Sequence, residues 1–216
     1  GTALVLISDS FVYIPRHGKS GDSHILPHGI NHQANLKALK GLGVQEVIGI
    51  NSTGSLKKTL KPGMLVVPDD FIALSGTPTT VTEKALHIIP ALNERVRGKI
   101  IDSADMCKID VVTEGVYWQT TGPRLETKAE IRMMAGYADI VGMTMASEAV
   151  VACELNIPYA SICSVDNYGH GIAKKRLTLQ EITEGARRNT DTILKILERY
   201  IEDRDGPRGN PSSNKT

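Results

Sequence analysis

Five short stretches of this 216-residue sequence concentrate side chains that could hold or polarise a substrate. The first, Pro15-Arg16-His17-Gly18-Lys19, follows the apolar run Phe11-Val12-Tyr13-Ile14. Ligands of open α/β sheets gather beyond strand ends, so a guanidinium beside an imidazole there would grip an anion. A solvated basic turn would use the same residues. The second, Val47-Ile48-Gly49-Ile50-Asn51-Ser52-Thr53-Gly54-Ser55-Leu56, carries a buried-type strand into small hydroxyl and glycine residues. A turn there would present backbone N–H groups, with Ser52 or Thr53 adding hydroxyls, a lining that suits phosphate. An ordinary strand exit has this composition too, and no Gly-Lys-Ser/Thr follows to make it a Walker loop.

The third stretch, Gln119-Thr120-Thr121-Gly122-Pro123-Arg124-Leu125-Glu126-Thr127, leads into a helix. Thr127 with Glu130 three residues on has the pattern of a capping box, which gives Glu130 a structural task and leaves Glu126 unexplained. A carboxylate beside a Gly-Pro turn can accept hydrogen bonds from a heterocycle. In the fourth, Val141-Gly142-Met143-Thr144-Met145-Ala146-Ser147-Glu148, a short strand meets a helix, and a cap at Thr144 or Ser147 accounts for the hydroxyls. The fifth, Ser164-Val165-Asp166-Asn167-Tyr168-Gly169-His170-Gly171, brings carboxylate, amide and phenol to one strand end.

The elements that must position these groups alternate. Strands are predicted at 3–7, 11–14, 47–50, 64–68, 109–116, 140–143 and 159–163, and helices at 32–42, 127–136, 146–155 and 178–202. Interleaving of this kind specifies an α/β fold, a single domain with a mixed, distorted central sheet flanked by helices. The last helix is the clearest, with Leu179, Ile182, Ala186, Ile193, Leu197 and Tyr200 on one face. The domain is read as residues 1–204, followed by a polar, breaker-rich flexible tail at 205–216 that cannot offset the entropy of ordering it.

Composition narrows the function. Lys and Arg total 25 against 24 for Asp and Glu, so no overall field favours nucleic acid or an anionic membrane, and any anion site is local. Three cysteines without a C-x-x-C pair argue against a disulfide framework and a zinc site, and fit a reducing cytoplasm. No apolar run approaches the roughly 20 residues of a membrane span. The expected protein is soluble and cytoplasmic, with no membrane, nucleic-acid or metal partner.

Taken together and in order, the runs PRHGK, INHQANLKALKGLGVQEVIGINSTGSL, PGMLVVPDDFI, TTGPRLETKAEIRMM and ADIVGMTMASEAVVACELNIPYASICSVDN resemble the trimeric purine nucleoside phosphorylase and methylthioadenosine phosphorylase family. The resemblance covers roughly residues 10 to 200 and implies phosphate-dependent cleavage of a purine nucleoside, giving free purine and (5-methylthio)ribose 1-phosphate. It implies a homotrimer, inorganic phosphate as co-substrate, and no metal or organic cofactor. Residue by residue, it implies that Arg16, His17, Ser52 and Thr144 bind phosphate, with Thr144 shared with the ribose and Met143 packed on the sugar. Glu126 and Asn167 carry over as the catalytic pair, the acid holding the base edge and the amide lying beside N7 and the six-position. Ile182 falls where the family divides between a His for the 5′-hydroxyl and an apolar surface for a 5′-methylthio group, although packing in the core accounts for it too.

The sequence departs from the family pattern in two places. The Gly-rich turn bearing Ser or Thr, which the resemblance places after a first strand as a further phosphate contact, is not found, so the chain is read as starting beyond it. The adenine-specific branch is expected to have Asp at the positions of Asn167 and Gly169. An amide can donate to a six-oxo group and Glu126 can accept from N1–H, so 6-oxopurine nucleosides are expected, 5′-methylthioinosine among them. An S-methyl-5′-thioadenosine phosphorylase, a hydrolase using water, and a non-catalytic nucleoside-binding subunit are the competing readings.

Overall fold

The structure is a computed structural model that describes residues 1–18, 24–83, 85–173, 184–185 and 187–203. Its centre is a six-stranded mixed sheet in the order β4-β8-β3-β7-β6-β5, made of β3 (Val47–Ser55), β4 (Leu65–Val66), β5 (Asp70–Ile72), β6 (Val116–Gln119), β7 (Ile140–Gly142) and β8 (Tyr159–Tyr168). A separate two-stranded ribbon, β1 (Leu6–Ile7) with β2 (Val12–Tyr13), precedes it. The two long strands β3 and β8 run parallel, while β7 meets the far end of β3 antiparallel.

Helices cover both faces. On one, α1 (His32–Gly41) and α4 (Met145–Glu154) pack Leu36, Leu39, Ala149 and Ala152 against Tyr159, Cys163 and Val165. On the other, α2 (Glu94–Met106) and α5 (Thr190–Glu202) pack Val96, Ile100, Ile193 and Ile196 against Ala160 and Ile162. Alternate residues of β8 thus serve opposite layers, which is why Tyr159 to Cys163 reads as an unbroken buried run. Finally α3 (Lys128–Met134) joins Ile131 and Met134 to Leu56, Trp118 and Val141 beneath the sheet's far half.

Several expectations need correction. The segment after Ile50 is not a turn: β3 continues through Asn51, Ser52, Thr53 and Gly54 to Ser55. Its polar side chains are satisfied within the sheet, Asn51 on Ser161 Oγ at 2.7 Å and Thr53 on the Ser164 carbonyl at 2.8 Å, so they do not break the strand. Similarly β8 runs on through the polar cluster to Tyr168. The strand expected at 109–116 is displaced to Val116–Gln119. Ile109 and Val111 pack on the α2/α5 core, and Val112 makes a single bridge to Val66, so their alternation reports packing without a ladder.

Helix α2 was not anticipated at all. Its apolar positions Val96, Ile100 and Ala104 form a narrow stripe among charged residues, and Asn93 caps it by accepting from the Val96 N–H at 3.1 Å. The capping box at α3 is present as expected: Thr127 accepts from Glu130 N–H at 3.2 Å and Glu130 accepts from Thr127 N–H at 2.7 Å. For the last helix, the described part is Thr190–Glu202; Leu179, Ile182, Ala186 and the tail at 205–216 lie outside the described residues.

Candidate active site

Arg16 leaves the β2 ribbon and turns inward rather than into solvent. Its Nη2 donates to the Ile50 carbonyl and to Asn51 Oδ1 at 3.0 Å, and its Nε lies 3.1 Å from Glu148 Oε1. Glu148, in the first turns of α4, also accepts from the Tyr159 hydroxyl at 2.7 Å and faces His32 Nδ1 at 3.9 Å. Burial is the largest influence and works against the Arg16 charge, but Glu148 together with Tyr159, Tyr117 and Tyr13 outweighs it and the guanidinium stays firmly cationic. Nη2 is hydrogen-bonded to protein, Nε is ion-paired with Glu148 without a hydrogen bond, and among the described residues Nη1 donates to none. A fixed cation with one free donor edge is a suitable grip for an oxyanion.

Thr144 completes this end. It stands at the N-cap of α4, yet its side chain makes no capping bond and donates to Asn51 Oδ1 at 2.7 Å. The helix start is held in other ways. The Tyr117 hydroxyl accepts from the N–H groups of Thr144 and Met145 at 3.2 and 3.4 Å, and Gln119 exchanges hydrogen bonds with Ser147 at 2.6 and 3.1 Å. Asn51 therefore joins Arg16, Thr144 and Ser161 in one buried polar network. His17 stacks on His24, with ring centroids 5.5 Å apart, and its Nδ1 lies 3.0 Å from the Ile25 carbonyl. Burial lowers its pKa, and the Arg16 and His24 charges add to that against the Ile25 bond, which favours neutral imidazole.

A second polar group lies farther along the same strands. Gly54 of β3 pairs with Asn167 of β8, and a Cβ on Gly54 would sit 3.2 Å from Asn167 Nδ2, so glycine leaves room for the amide. Asn167 Nδ2 donates to the Tyr168 carbonyl at 2.9 Å. Glu126 is buried rather than exposed: Thr120 donates to its Oε1 at 2.7 Å, and the Glu126 carbonyl lies 3.3 Å from His170 Nδ1. Met143, at the end of β7, packs on Gly122, where a Cβ would stand 2.6 Å from its Sδ. From Asn51 to Gly54 is three strand residues, about 10 Å. That is the span of a ribosyl group with its base.

Of the sequence-expected site residues, the structure brings Arg16 and Thr144 together on Asn51 of β3, sets Ser52 beside Ser164 of β8, and holds Asn167 opposite Gly54 farther along β3; Glu126 is held by Thr120, and Met143 follows β7. Ser52 is mid-strand and exposed, so what it offers is its side chain and not a loop of free N–H groups. Ile182 lies outside the described residues. Sequence reasoning missed Asn51, Glu148 and Tyr159. One signal for Glu148 was available: it is the one charged residue in the run Met145-Ala146-Ser147-Glu148-Ala149-Val150-Val151, which a helix buries against the sheet.

Residues 3–202 match the model of the phosphorylase superfamily. The chain belongs to that superfamily. It is 43% identical over 190 residues to a probable 6-oxopurine nucleoside phosphorylase of Archaeoglobus fulgidus, covering 88% of this chain and 77% of that protein. It is 41% identical over 212 residues to a probable S-methyl-5′-thioinosine phosphorylase of Methanocaldococcus jannaschii, with 93% and 81% covered. Among solved structures, methylthioadenosine phosphorylase from Schistosoma mansoni in complex with adenine superposes with a TM-score of 0.81 at 26% identity, over 90% of this chain and 76% of that one. The superfamily fold and the mixed sheet described above are the same architecture. Among the described residues, no helix is long and apolar enough to cross a membrane, and no group of three or more His, Cys, Asp or Glu side chains could hold a metal ion.

Proposed function

We infer that this superfamily member is a purine nucleoside phosphorylase that prefers 6-oxopurine nucleosides. The carrying observation is the presence of two matched groups, Glu126 as a buried acceptor bonded by Thr120 and Asn167 as an amide donor beside Gly54 of β3. Hypoxanthine and guanine present N1–H and O6, which match an acceptor and a donor; adenine presents the reverse. The relatives named for 6-oxopurine nucleosides and for methylthioinosine support the same choice.

In this reading inorganic phosphate is held at Arg16 Nη1 and Thr144, with His17 as a neutral hydrogen-bonding partner. Cleavage builds positive charge at C1′ and negative charge on the purine, so phosphate on one side and donors on the other stabilise the transition state. Phosphate is also the nucleophile, and its oxygen forms the new bond to C1′ with no covalent enzyme intermediate. No metal or organic cofactor enters. Purine salvage in the cytoplasm and a homotrimer belong to the same proposal; the exposed apolar side chains Ile7, Phe11, Leu74 and Ile89 offer surface for subunit contacts. The test is turnover of inosine, guanosine, adenosine and their 5′-methylthio analogues with and without phosphate. Ribose 1-phosphate from 6-oxopurines is expected; free ribose, or binding without turnover, would replace this reading with a hydrolase or a binding subunit.

A further inference from the structure

Given the phosphorylase reading, on which this inference rests, phosphate is gripped by one edge of Arg16, and whatever holds the rest of the guanidinium sets the direction of that edge. The Nη2 bonds to the Ile50 carbonyl and Asn51 Oδ1 fix a single nitrogen. A planar fork held at one nitrogen can swing about it; held at two, it presents the third in one direction. The second hold is Glu148, whose Oε1 lies 3.1 Å from Nε.

Glu148 is itself fixed. It is 7% exposed, and the Tyr159 hydroxyl donates to its Oε2 at 2.7 Å, so its two oxygens have separate tasks. Strand β3 leaves room for that reach, since a Cβ on Gly49 would collide with the Tyr159 hydroxyl. Burial pushes the Tyr159 pKa well above the usual phenol value and the Glu148 charge adds to it, so the hydroxyl stays a donor. His32 Nδ1, buried and without a hydrogen bond, faces Oε1 at 3.9 Å. Burial, helped by Arg16 and His17, lowers the His32 pKa against the pull of Glu148, which sets a neutral imidazole and not a rival cation beside Oε1 near neutral pH.

Helix α4 supplies a further support. Thr144, one turn before Glu148 on the same face, donates at 2.7 Å to the Asn51 oxygen that also receives Arg16 Nη2. One helix thus braces both anchored nitrogens. A buried ion pair is a poor device for stability alone, because desolvation cancels much of the attraction. A site that must hold a cation at a fixed angle gains from it.

We propose that Glu148 is a positioning residue of the phosphate subsite, acting through Arg16 Nε to aim Nη1 at the anion, with Tyr159 holding Glu148 in turn. Glu148 touches neither phosphate nor nucleoside.

The test is steady-state kinetics in which inosine and inorganic phosphate are varied separately. Glu148→Gln keeps the length of the side chain and loses its charge; it should raise KM for phosphate by about 10–100-fold and leave KM for inosine within about twofold. Tyr159→Phe keeps the charge and frees Oε2, and should raise the phosphate KM selectively but less, by about threefold or more. In an Arg16→Met background Glu148→Gln should add no further rise, because its whole effect passes through the guanidinium. An unchanged phosphate KM in folded Glu148→Gln, an equal rise for both substrates, or a further rise in the double variant would overturn the assignment. So would a lower phosphate KM, which would make Glu148 merely a charge that repels the anion. Should Glu148→Gln fail to fold, Tyr159→Phe decides: lower stability with an unchanged phosphate KM assigns the network to folding alone. Wild-type turnover that needs no phosphate would instead remove the phosphorylase reading itself.

Discussion

At the Arg16 end, polar groups are locked into the sheet by buried partners on three elements, whereas at the Glu126 end the side chains hang from a strand terminus and two loops. Arg16, Glu148, Tyr159, Asn51, Thr144 and Ser161 form one connected set spanning β3, β8 and α4. Glu126 relies on Thr120 and Asn167 on its own neighbour's carbonyl. The contrast matches what each end would bind under the proposed function. Inorganic phosphate is the same for every substrate, so its site can be rigid and expensive to disturb; the base is the variable part, and specificity is more easily retuned on loops carried by a fixed scaffold.

The largest expected effect comes from cutting the rigid end. Arg16→Met leaves Glu148 buried without its cation and should cost about 3–5 kcal/mol of stability by denaturant unfolding, with a rise in KM for phosphate far exceeding that for nucleoside. A loss below about 1 kcal/mol would show that the pair is no more than a surface contact and would erase the contrast. Next, Asn167→Asp should leave folding intact and move the adenosine-to-inosine ratio of kcat/KM by on the order of 10²-fold toward adenosine. Wild-type enzyme that already prefers adenosine or methylthioadenosine would break the pairing of Glu126 with Asn167.

Matched hydroxyl deletions sharpen the comparison further. Thr144→Val and Thr120→Val each remove one hydroxyl donor, buried for Thr144 and half-buried for Thr120, worth about 1 kcal/mol. The first should raise KM for phosphate a few-fold and the second KM for nucleoside, and crossed effects would mean that the two ends are not separate subsites. The smallest effect is a pH dependence. The pKa values of His17 and His32 are both held below the usual imidazole value, chiefly by burial. The unfolded chain therefore takes up protons first as pH falls, so stability is full above the ordinary histidine pKa and declines as pH drops toward the depressed values. His17→Asn should flatten that acid limb in thermal unfolding; an unchanged slope would assign it elsewhere.

How far the sequence reached differs along the chain for physical reasons. Leu36 and Leu39 in α1, the Thr127/Glu130 box and the buried run from Tyr159 to Cys163 carry local signals, because capping, helical spacing and two-faced burial act over a few residues. The paired carboxamide and acid at Asn167 and Glu126 were legible as residue types, and a collinear set of motifs gave the superfamily. The strand continuing through Asn51 to Ser55 was not legible, because those polar residues are tolerated only when partners on β8 satisfy them.

Thus the sequence alone settled the α/β class, the family and the chemical types present at each end of the site. Tertiary structure decided that Glu148, 132 positions after Arg16 in the chain, is its counter-ion, and that Thr144 spends its hydroxyl on Asn51 instead of capping α4. It also decided that a one-residue slip between β3 and β8 leaves Asp166 as the extra residue of a bulge, its carboxylate accepting from Ser164. Each of these depends on register or on contacts between residues distant in sequence, and none is encoded by the spacing of side chains within a single element.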